Sequence, residues 1–369
     1  MSSAFLYVII KKNLFFGVKM DFEIHSPSVW EKLKNTTEPV IMYGTGNGAD
    51  KVLDVFEKKG IKISGVTASS SFVRNRTFRG FQVMPLSFFE EKYDSFTVII
   101  TYGTSMPDVM ENIYNLACKH HVLVPVVPVI GTEIFDENFL NAHTEEINSA
   151  YNLMADDFSK KIFAGYINFL YGGDLKVLQE ITTPEEEAFT NILKLGENET
   201  YIDIGAYRGD TVDTFLKYSG GKYTDIICAE PDTKSFNKLK LHCEGLQNFQ
   251  SFNVAVADTD GEIGFNNVHG RQSSIGGDKS TPCMTLPTLC GNSNPTYIKI
   301  DSEGCENEIL FGGERILKEY KPKLNIATYH KCVDIFSLPI LICKINPDYK
   351  IHLRHHPYIP AWDTLFYCV

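Results

Sequence analysis

The same local pattern occurs twice in this chain: an apolar segment, a glycine-containing turn and an amphipathic helix. The first copy is VIMYGTGNGADKVLDVF (40–56) and the second is YIDIGAYRGDTVDTFL (201–216). Short apolar segments of this kind are typical of strands buried on both faces, and a helix that follows such a strand gives the βα unit of parallel sheets. The chain has 369 residues, which is long enough for each of these two units to belong to a separate domain. The sequence therefore predicts two α/β domains.

The domain organisation follows from the spacing of strands and helices. We expect a tail over 1–19, a smaller Rossmann-like α/β domain over 20–143, a helical connector over 144–195 and a larger α/β domain over 196–369. Further strands are expected at 82–84, 97–101, 122–129, 225–229, 249–257, 297–300 and 323–328. The segments IHLRHH and DTLFYCV flank a proline-containing loop, which predicts a terminal antiparallel hairpin on a mainly parallel sheet.

Composition excludes several classes of protein. The net charge of −11 argues against an electrostatic grip on nucleic acid or on an anionic membrane. No apolar run approaches the roughly 20 residues that cross a bilayer. The nine cysteines contain no CxxC pair, so neither a zinc site nor a secreted disulfide framework is indicated. We expect free thiols and a cytoplasmic location, and the sequence leaves a homodimer open.

The second glycine turn has the pattern Asp203-x-Gly205-x-x-x-Gly209-x-Thr211. It lacks the Gly-x-Gly-x-x-Gly spacing that brings backbone against a pyrophosphate, and its acidic residue would repel phosphate. The next strand ends at Glu230, whose carboxylate can accept two hydrogen bonds from a ribose diol. A glycine turn with a diol-binding carboxylate and no phosphate chemistry is typical of a site for S-adenosyl-L-methionine.

Residues 196–369 resemble the FkbM family of S-adenosylmethionine-dependent methyltransferases. The matching segments are DIGAYRGDT (203–211), EPDTKSFNKL (230–239), NVAVADTDGEI (253–263), YIKIDSEGCENEIL (297–310) and KPKLNIATYH (321–330). The resemblance implies the class I methyltransferase fold and transfer of a methyl group to a hydroxyl oxygen. It also implies a hydroxylated small molecule, such as a carbohydrate, a glycan precursor or a polyketide-type product, as the acceptor.

The resemblance also assigns the cofactor site. Asp203, Gly205, Ala206 and Gly209 would line its methionine side, with Thr211 at the start of the helix that follows. Glu230 would bind the ribose, and Ala257 and Asp258 would approach the adenine. Two alternatives stay open: the glycines form a tight turn without a ligand, and Glu230 is a solvated carboxylate at a strand end.

Three residues at the ends of predicted strands are candidates for the chemistry: His330, Asp301 and Glu303. We expect His330 to be the base, because an unperturbed imidazole titrates near neutral pH, and Asp301 to orient the substrate or the cofactor. Alternatively, His330 holds a neighbouring loop, and the two carboxylates pair with Lys299 or cap the next helix.

The first glycine turn, GTGNGA (44–49), has the context of a dinucleotide site but lacks the acidic residue expected about 20 positions later. Ser69–Ser71 with Arg74 and Arg76 could suit a phosphorylated ligand. Two roles of the N-terminal domain therefore stay open: it binds a nucleotide or sugar nucleotide, or it serves as a scaffold or dimerisation unit. The HxxHH at 352–356 lacks a full ligand set, so no metal is expected.

These observations predict a methyltransferase that modifies a hydroxyl on a carbohydrate or glycan precursor. The alternative is a catalytically silent binding or assembly protein that keeps the methyltransferase fold. An oxidoreductase that uses NAD at the first glycine turn is the weakest alternative, because the acidic residue is missing there.

Overall fold

A computed structural model describes residues 19–69, 73, 76–266, 274–275 and 279–369. The predicted tail, apart from residue 19, lies outside these ranges, as do Ser70, Ser71 and Arg74. The domain boundaries given above remain predictions, and we use 20–143 and 196–369 below as the N-terminal and C-terminal domains. No helix of the described residues is long and apolar enough to span a membrane.

The N-terminal domain is built on a six-stranded sheet with strand order β3-β4-β2-β1-β5-β6, in which only β3 runs antiparallel. Its strands are β1 (Val40–Tyr43), β2 (Gly65–Thr67), β3 (Thr77–Phe78), β4 (Phe81–Met84), β5 (Thr97–Ile100) and β6 (His121–Leu123). Its helices are α1 (Val29–Asn35), α2 (Asn47–Lys59), α3 (Leu86–Lys92) and α4 (Pro107–Ala117).

Helix α2 shows how the sequence pattern produces this packing. Val52, Leu53 and Phe56 recur at helical spacing and are buried against the sheet. The helix ends at Gly60, which adopts a φ of 69° and donates its backbone N–H to the last turn. A left-handed residue at this position is readily supplied by glycine, which has no Cβ.

Four helices connect the two sheets: α5 (Glu137–Ala142), α6 (Thr144–Asn152), α7 (Asp157–Gly172) and α8 (Leu175–Ile181). The largest hydrophobic cluster contains residues of both sheets and of these helices, for example Val98, Phe163 and Ile298. The predicted helical connector is therefore part of a core that continues from one domain into the other. A short helix, α9 (Glu185–Glu187), continues as a π-helical turn over Ala188–Leu193 and leads into the second sheet.

The C-terminal domain is built on a seven-stranded sheet with strand order β16-β17-β15-β14-β7-β8-β9. Its parallel strands are β7 (Thr200–Ile204), β8 (Asp225–Ala229), β9 (Phe249–Phe252), β14 (Tyr297–Ile300) and β15 (Lys323–Ala327), and its antiparallel pair is β16 (Ile351–His355) and β17 (Thr364–Cys368). Its helices are α10 (Asp210–Tyr218), α11 (Thr233–His242), α12 (Leu286–Cys290), α13 (Glu306–Gly312), α14 (Glu314–Glu319) and α15 (Asp334–Ile345). The predicted fold class and terminal hairpin are confirmed.

Two strand predictions were too long by more than one residue. Strand β6 ends at Leu123, because Pro125 and Pro128 carry no N–H to continue the ladder predicted for 122–129. The strand predicted over 249–257 divides into β9 and β10 (Ala255–Ala257). Strand β10 joins a separate four-stranded sheet with β11 (Gly261–Asn266), β12 (Ser274–Ile275) and β13 (Lys279–Thr285) in the order β10-β13-β11-β12.

The two domains contact each other next to the carboxyl ends of their parallel strands. Thr104 and Ile359 exchange backbone hydrogen bonds of 2.7 and 2.9 Å between nitrogen and oxygen. Gly103 packs so closely on the aromatic ring of Trp362 that a Cβ at this glycine would lie 2.4 Å from Cζ3. The backbone N–H of Ile130 donates to the carbonyl of His330 over 2.9 Å. These contacts bring the N-terminal domain to the edge where the C-terminal domain carries its predicted site.

Candidate active site

A cavity of about 430 Å³ lies between the two domains. Sites for small ligands span about 300–1,000 Å³, so this cavity is large enough to be one. On the C-terminal domain it follows the strand ends across the sheet, from Glu230 after β8, past Gly205 after β7 and Glu303 beyond β14, to Trp362 between β16 and β17. We call the part beside Glu230 the proximal end and the part beside Trp362 the distal end.

The turn after β7 is held against two neighbouring strands. The backbone N–H groups of Gly205 and Ala206 both donate to the carbonyl of Ala229, over 3.0 and 3.1 Å. Gly205 has a φ of 76°, and a Cβ there would lie only 1.8 Å from the carbonyl oxygen of Asp301. No side chain can occupy this position without moving the strand end that carries Asp301. The glycine is thus required by the turn as well as by the cavity.

Asp203 supports this turn from inside the sheet. It is fully buried and accepts a hydrogen bond from the Thr211 hydroxyl over 2.5 Å. The Lys299 ammonium lies 3.4 Å from Asp203 Oδ1 and donates to the carbonyl of Gly205 over 2.8 Å. Lys299 and Thr211 line the cavity, and Asp203 lies behind them. The predicted cofactor role of Asp203 would therefore be exerted through these two neighbours.

Glu230 is the carboxylate of the proximal end. Its two oxygens each accept one backbone N–H, from Tyr207 and from Asp232, both over 2.8 Å. A carboxylate oxygen has two lone pairs, so each can accept one more hydrogen bond from the cavity side. Burial raises the pKa of Glu230 to about 7, against the lowering effect of these two hydrogen bonds. The side chain is fixed by backbone and faces the cavity, which is what a ribose-binding carboxylate requires.

The other predicted cofactor residues lie just outside the cavity. Ala206 is buried in the core, and a Cβ at Gly209 would meet His242 of helix α11 at 2.8 Å, so this glycine is needed for packing. Ala257 and Asp258 are placed beyond the wall, where the Asp258 backbone packs on the end of helix α13. The apolar part of the proximal wall consists instead of Ala229 and 254–256.

Four charged side chains meet at the ends of β14 and β15. His330 is buried, and its Nδ1 lies 3.0 Å from Oε1 of buried Glu306. Its Nε2 lies 3.4 Å from Asp301 Oδ1 and 3.6 Å from Glu303 Oε2. The Tyr329 hydroxyl also donates to Asp301, over 3.2 Å. The three predicted catalytic residues are therefore brought together, with Glu306 as a fourth member that the sequence analysis missed.

This arrangement determines which member can accept a proton. Burial lowers the pKa of His330, but Glu306, Asp301 and Glu303 outweigh burial and raise this pKa well above its ordinary value. An imidazolium has no lone pair for a proton. Burial, with the neighbouring carboxylates against the opposing effect of His330, raises the pKa of Glu303 to about 8. Glu303 is therefore poised close to neutral pH, which is the condition that a general base needs.

The Glu303 backbone is also in an uncommon conformation. Its φ is 54°, in the left-handed region that residues with a Cβ seldom adopt. Gly304 follows with a φ of 95°, and three groups of this loop, the N–H and hydroxyl of Ser302 and the N–H of Gly304, donate to Glu306. Such conformations are enriched at functional sites, and among the described non-glycine residues with a positive φ, Glu303 and Tyr207 line the cavity. The loop places the Glu303 side chain in the cavity wall.

Asp301, Glu306 and His330 also offer three ligand atoms within 4.8 Å of one another, a spacing that a metal ion could bridge. The imidazole would have to lose its proton to bind a cation, and it is held as an imidazolium by the same carboxylates. We therefore describe these residues as an ion-pair cluster.

The match to a known family falls on this part of the chain. Residues 203–342 match the family described as the methyltransferase FkbM domain, and this segment includes the turn after β7, Glu230 and the ion-pair cluster. These residues are an FkbM methyltransferase domain. No curated protein matches the chain.

Solved structures that match this chain include methyltransferases. The crystal structure of methyltransferase FkbM from Methylobacillus flagellatus KT is 18% identical, covers 92% of this chain and 93% of its own, and superposes with a TM-score of 0.71. Fibrillarin of Aeropyrum pernix with natively bound S-adenosyl-L-methionine is 12% identical over 48% of this chain and 69% of its own, with a TM-score of 0.33. An rRNA methylase from Streptococcus thermophilus is 15% identical over 51% and 96%, with a TM-score of 0.33. The first similarity shows that the fold is shared over both domains.

S-adenosylmethionine, the cofactor predicted from the sequence, is thus the cofactor of this FkbM domain. The residues present fit it. Glu230 has lone pairs for the ribose hydroxyls, and the cavity wall carries more negative than positive groups, as suits a sulfonium. Its acidic residues are Glu185, Asp210, Glu230, Asp232, Asp301, Glu303 and Asp363, and its basic residues are Lys51, Lys299 and His330.

The glycine turn of the N-terminal domain borders the same cavity as the FkbM domain. Gly48 and Asn47 line it, and Lys51 donates to the carbonyls of Val129 and Pro128 over 2.8 and 3.3 Å. A Cβ at Gly44 or Gly48 would lie 2.5 or 2.4 Å from atoms of Thr101, so these glycines let the turn and the start of helix α2 pack on the residue after β5. Arg76, which was considered for a phosphorylated ligand, is exposed and is not among the cavity residues.

The histidines at 352–356 lie beyond residues 203–342 of the FkbM domain and are engaged separately. His352 pairs with Asp156 at 2.7 Å, His355 with Thr364 at 3.0 Å, and His356 with Tyr367 at 2.7 Å. None of these histidines lines the cavity. They hold the terminal hairpin in place.

Sequence reasoning missed several residues of the cavity wall. Lys299 was noticed only as a partner for carboxylates, although its place in the strand YIKI, between Ile298 and Ile300, marks it as a charge inside an apolar run. Lys51, Tyr358 and Trp362 reach the cavity through the contact between domains. No local sequence pattern predicts a contact between domains, so these residues could not have been found from the sequence.

Proposed function

We propose that this chain transfers the methyl group of S-adenosylmethionine to a hydroxyl oxygen of a carbohydrate or a glycan precursor. The observation that supports this most directly is that Glu230, the turn after β7 and Glu303 line one continuous cavity. Glu230 is thereby placed to bind the ribose of the cofactor, and Glu303, with its raised pKa, is placed to meet the acceptor in the same cavity. The FkbM domain match supplies the reaction class, and the hydroxylated acceptor is the proposal.

Glu303 is the base in this proposal. The sequence analysis favoured His330, and that assignment stays a prediction, but the imidazolium of the ion-pair cluster is unsuited to accept a proton. His330 instead holds Asp301 and Glu303 in place from one side, while Glu306 fixes it from the other. Asp301, which is one-third exposed, is left to orient a hydroxyl at the cavity wall.

The chemistry requires few groups from the protein. The cofactor, when bound, supplies an electrophilic methyl group on a cationic sulfur. With the cofactor held at Glu230, Glu303 would accept the proton of the acceptor hydroxyl, and the neutral thioether S-adenosylhomocysteine would be the leaving group. Holding the reactants together contributes about 7–11 kcal/mol to such a step, and a positioned base contributes roughly 10²–10⁴-fold.

A second candidate function is a binding or assembly protein with a silent methyltransferase domain. The core and the backbone hydrogen bonds that the two domains share would give such a protein a rigid frame. The intact cavity wall and the strained loop at Glu303 favour an enzyme, because a silent protein has no need to keep a buried carboxylate with a raised pKa.

The experiment that tests the function combines calorimetry with turnover. Wild-type chain is titrated with S-adenosylhomocysteine, and methyl transfer from S-adenosylmethionine is then followed on a panel of hydroxylated sugars. We expect Glu303→Gln to lower turnover by at least about 100-fold with unchanged affinity for S-adenosylhomocysteine. His330→Gln is the companion variant, since it keeps the Glu303 carboxylate in the chain and removes the imidazolium that holds it.

Two outcomes would contradict this proposal. Turnover of Glu303→Gln within threefold of wild type would remove Glu303 as the base, and a much larger loss in His330→Gln would return the role to His330. Binding of S-adenosylhomocysteine without transfer to any hydroxylated acceptor would favour the silent binding protein.

The proposal also covers the cellular compartment, the pathway and the oligomeric state of the protein. All nine cysteines are free thiols, which supports a reducing compartment such as the cytoplasm. We also propose glycan modification as the pathway in which the methyl group is added, and a homodimer remains an open arrangement that sedimentation of the purified chain would test.

A further inference from the structure

We propose that the distal end of the cavity is the acceptor site, that both domains build it, and that it takes a sugar ring without a phosphate group. This inference rests on the proposed function, since it assigns the acceptor of the same reaction. It goes further in giving the N-terminal domain a part in substrate binding and in excluding one class of sugar.

The wall on the C-terminal side is aromatic. Tyr358 and Trp362 lie in the segment between β16 and β17, with their ring centroids 5.9 Å apart. Both line the cavity at the end opposite Glu230. Flat aromatic faces beside polar groups suit a sugar ring, which presents apolar C–H faces and hydroxyl edges.

The N-terminal domain holds this aromatic pair in place. Gly103 packs on both rings, since a Cβ there would lie 2.4 Å from Trp362 and 3.2 Å from Tyr358. The paired hydrogen bonds between Thr104 and Ile359 fix the backbone between the two aromatic residues. Ser105 and Asn47 complete the opposite wall. The acceptor site therefore depends on the N-terminal domain.

The charges at this end disfavour phosphate. Glu185 and Asp363 line the cavity together with Trp362, and their negative charges would oppose a phosphate group. No arginine of the described residues lines the cavity, although arginine is the usual partner of phosphate. Lys51 is the basic residue that the N-terminal domain supplies, and its ammonium is already hydrogen-bonded to Val129 and Pro128. A neutral or amine-bearing sugar fits this wall.

Fluorescence can test this site directly, because the chain contains two tryptophans. Trp362 lies at the cavity, and Trp30 is buried in the N-terminal core. The full chain, saturated with S-adenosylhomocysteine, is titrated with three matched hexoses: methyl α-D-glucopyranoside, D-glucosamine and D-glucose 6-phosphate. We expect the first two to change tryptophan emission at millimolar concentration and the phosphate to bind at least tenfold more weakly.

Matched variants separate the contributions. The emission change should disappear in Trp362→Phe and persist in Trp30→Phe. Gly103→Ala should weaken sugar binding at least tenfold with affinity for S-adenosylhomocysteine within twofold of wild type. Gly46→Ala is the control in the same domain, because a Cβ there meets nothing within 4 Å. Thermal melting of each variant shows that the chain is folded.

Three results would overturn the inference. Glucose 6-phosphate binding as tightly as the other hexoses would contradict the unphosphorylated class. A Trp362 signal that none of the sugars changes, in a chain that binds S-adenosylhomocysteine, would remove the sugar site and leave the methyltransferase pocket standing. Equal sugar binding by Gly103→Ala and wild type would remove the N-terminal domain from it. Sugar binding without S-adenosylhomocysteine binding would contradict the proposed function instead.

Discussion

The two glycine turns occupy equivalent positions in their sheets, after β1 and after β7, and have different surroundings. Gly44 donates its N–H to Thr67 over 3.0 Å, as Gly205 does to Ala229. Each of the two glycines has a positive φ and presses on the end of the neighbouring strand, Gly44 against Thr101 after β5 and Gly205 against Asp301 after β14. The strand orders β4-β2-β1-β5-β6 and β9-β8-β7-β14-β15 also correspond.

The difference lies in the residues after the neighbouring strands. The strand next to β7 is followed by Glu230, whereas the corresponding strand next to β1 is followed by Ala68. Where Asp301 follows β14, Thr101 follows β5. A glycine turn therefore indicates a parallel sheet but not a ligand. Whether a cofactor binds depends on the side chains at the ends of the adjacent strands.

The sharpest test of this comparison is a methyl group added to each turn. Gly205→Ala would place Cβ 1.8 Å from the Asp301 carbonyl, so we expect loss of S-adenosylhomocysteine binding by at least about 100-fold. Gly48→Ala would place Cβ 2.4 Å from the Thr101 carbonyl and should lower the melting temperature, with the affinity changed less than threefold. Calorimetry measures the affinity and melting curves measure the stability of each variant. An equal loss of affinity in the two variants would show that the two turns do not differ in cofactor binding.

The second test uses pH, since only the turn after β7 borders a carboxylate proposed as the base. Glu303 must be ionised to accept a proton, and its pKa is raised to about 8. We expect kcat/KM to rise about tenfold per pH unit below pH 8 and to level off above it. The rate-versus-pH curve of Glu303→Gln should lack this rise. A wild-type profile that is flat between pH 6 and 9 would contradict the assignment.

The third test concerns the carboxylate that the first turn lacks. Glu230→Ala should weaken binding of S-adenosylhomocysteine at least about tenfold, because charge-assisted hydrogen bonds contribute roughly 1.5–3 kcal/mol each. Glu244→Ala, at an exposed position of the same domain, is the control. NAD should bind to neither variant nor to wild type. NAD binding by wild type would restore a nucleotide site at the first turn.

The smallest expected effect comes from the first turn itself. Lys51 exerts an attractive charge on Glu303 across the domain contact, and burial lowers its own pKa. Removing this charge in Lys51→Met should raise the pKa of Glu303, so the rise of kcat/KM moves to higher pH by less than about one unit. Exposed Lys58→Met on the same helix should leave the profile unchanged. Identical profiles for the two variants would show that the first turn has no electrostatic part in the reaction.

The sequence predicted most of the fold because strands buried on both faces and capped helices are local patterns. The class of fold, the cofactor and the terminal hairpin followed from such patterns and from the resemblance they supported. The division of 249–257 between two sheets was missed, because an apolar run does not show which strand each of its residues pairs with. The state of His330 was missed for a similar reason: the three carboxylates of the segment 301–306 surround it only in the folded chain.

The wall of the cavity is divided between the two domains, which links their stabilities. A ligand that contacts both domains binds only when both are folded, so its binding free energy stabilises each of them against local opening. Unfolding of the N-terminal domain alone would release such a ligand and forfeit that energy. Because the two domains also share one hydrophobic core, cofactor and acceptor together should raise the temperature at which both unfold and make that unfolding more cooperative.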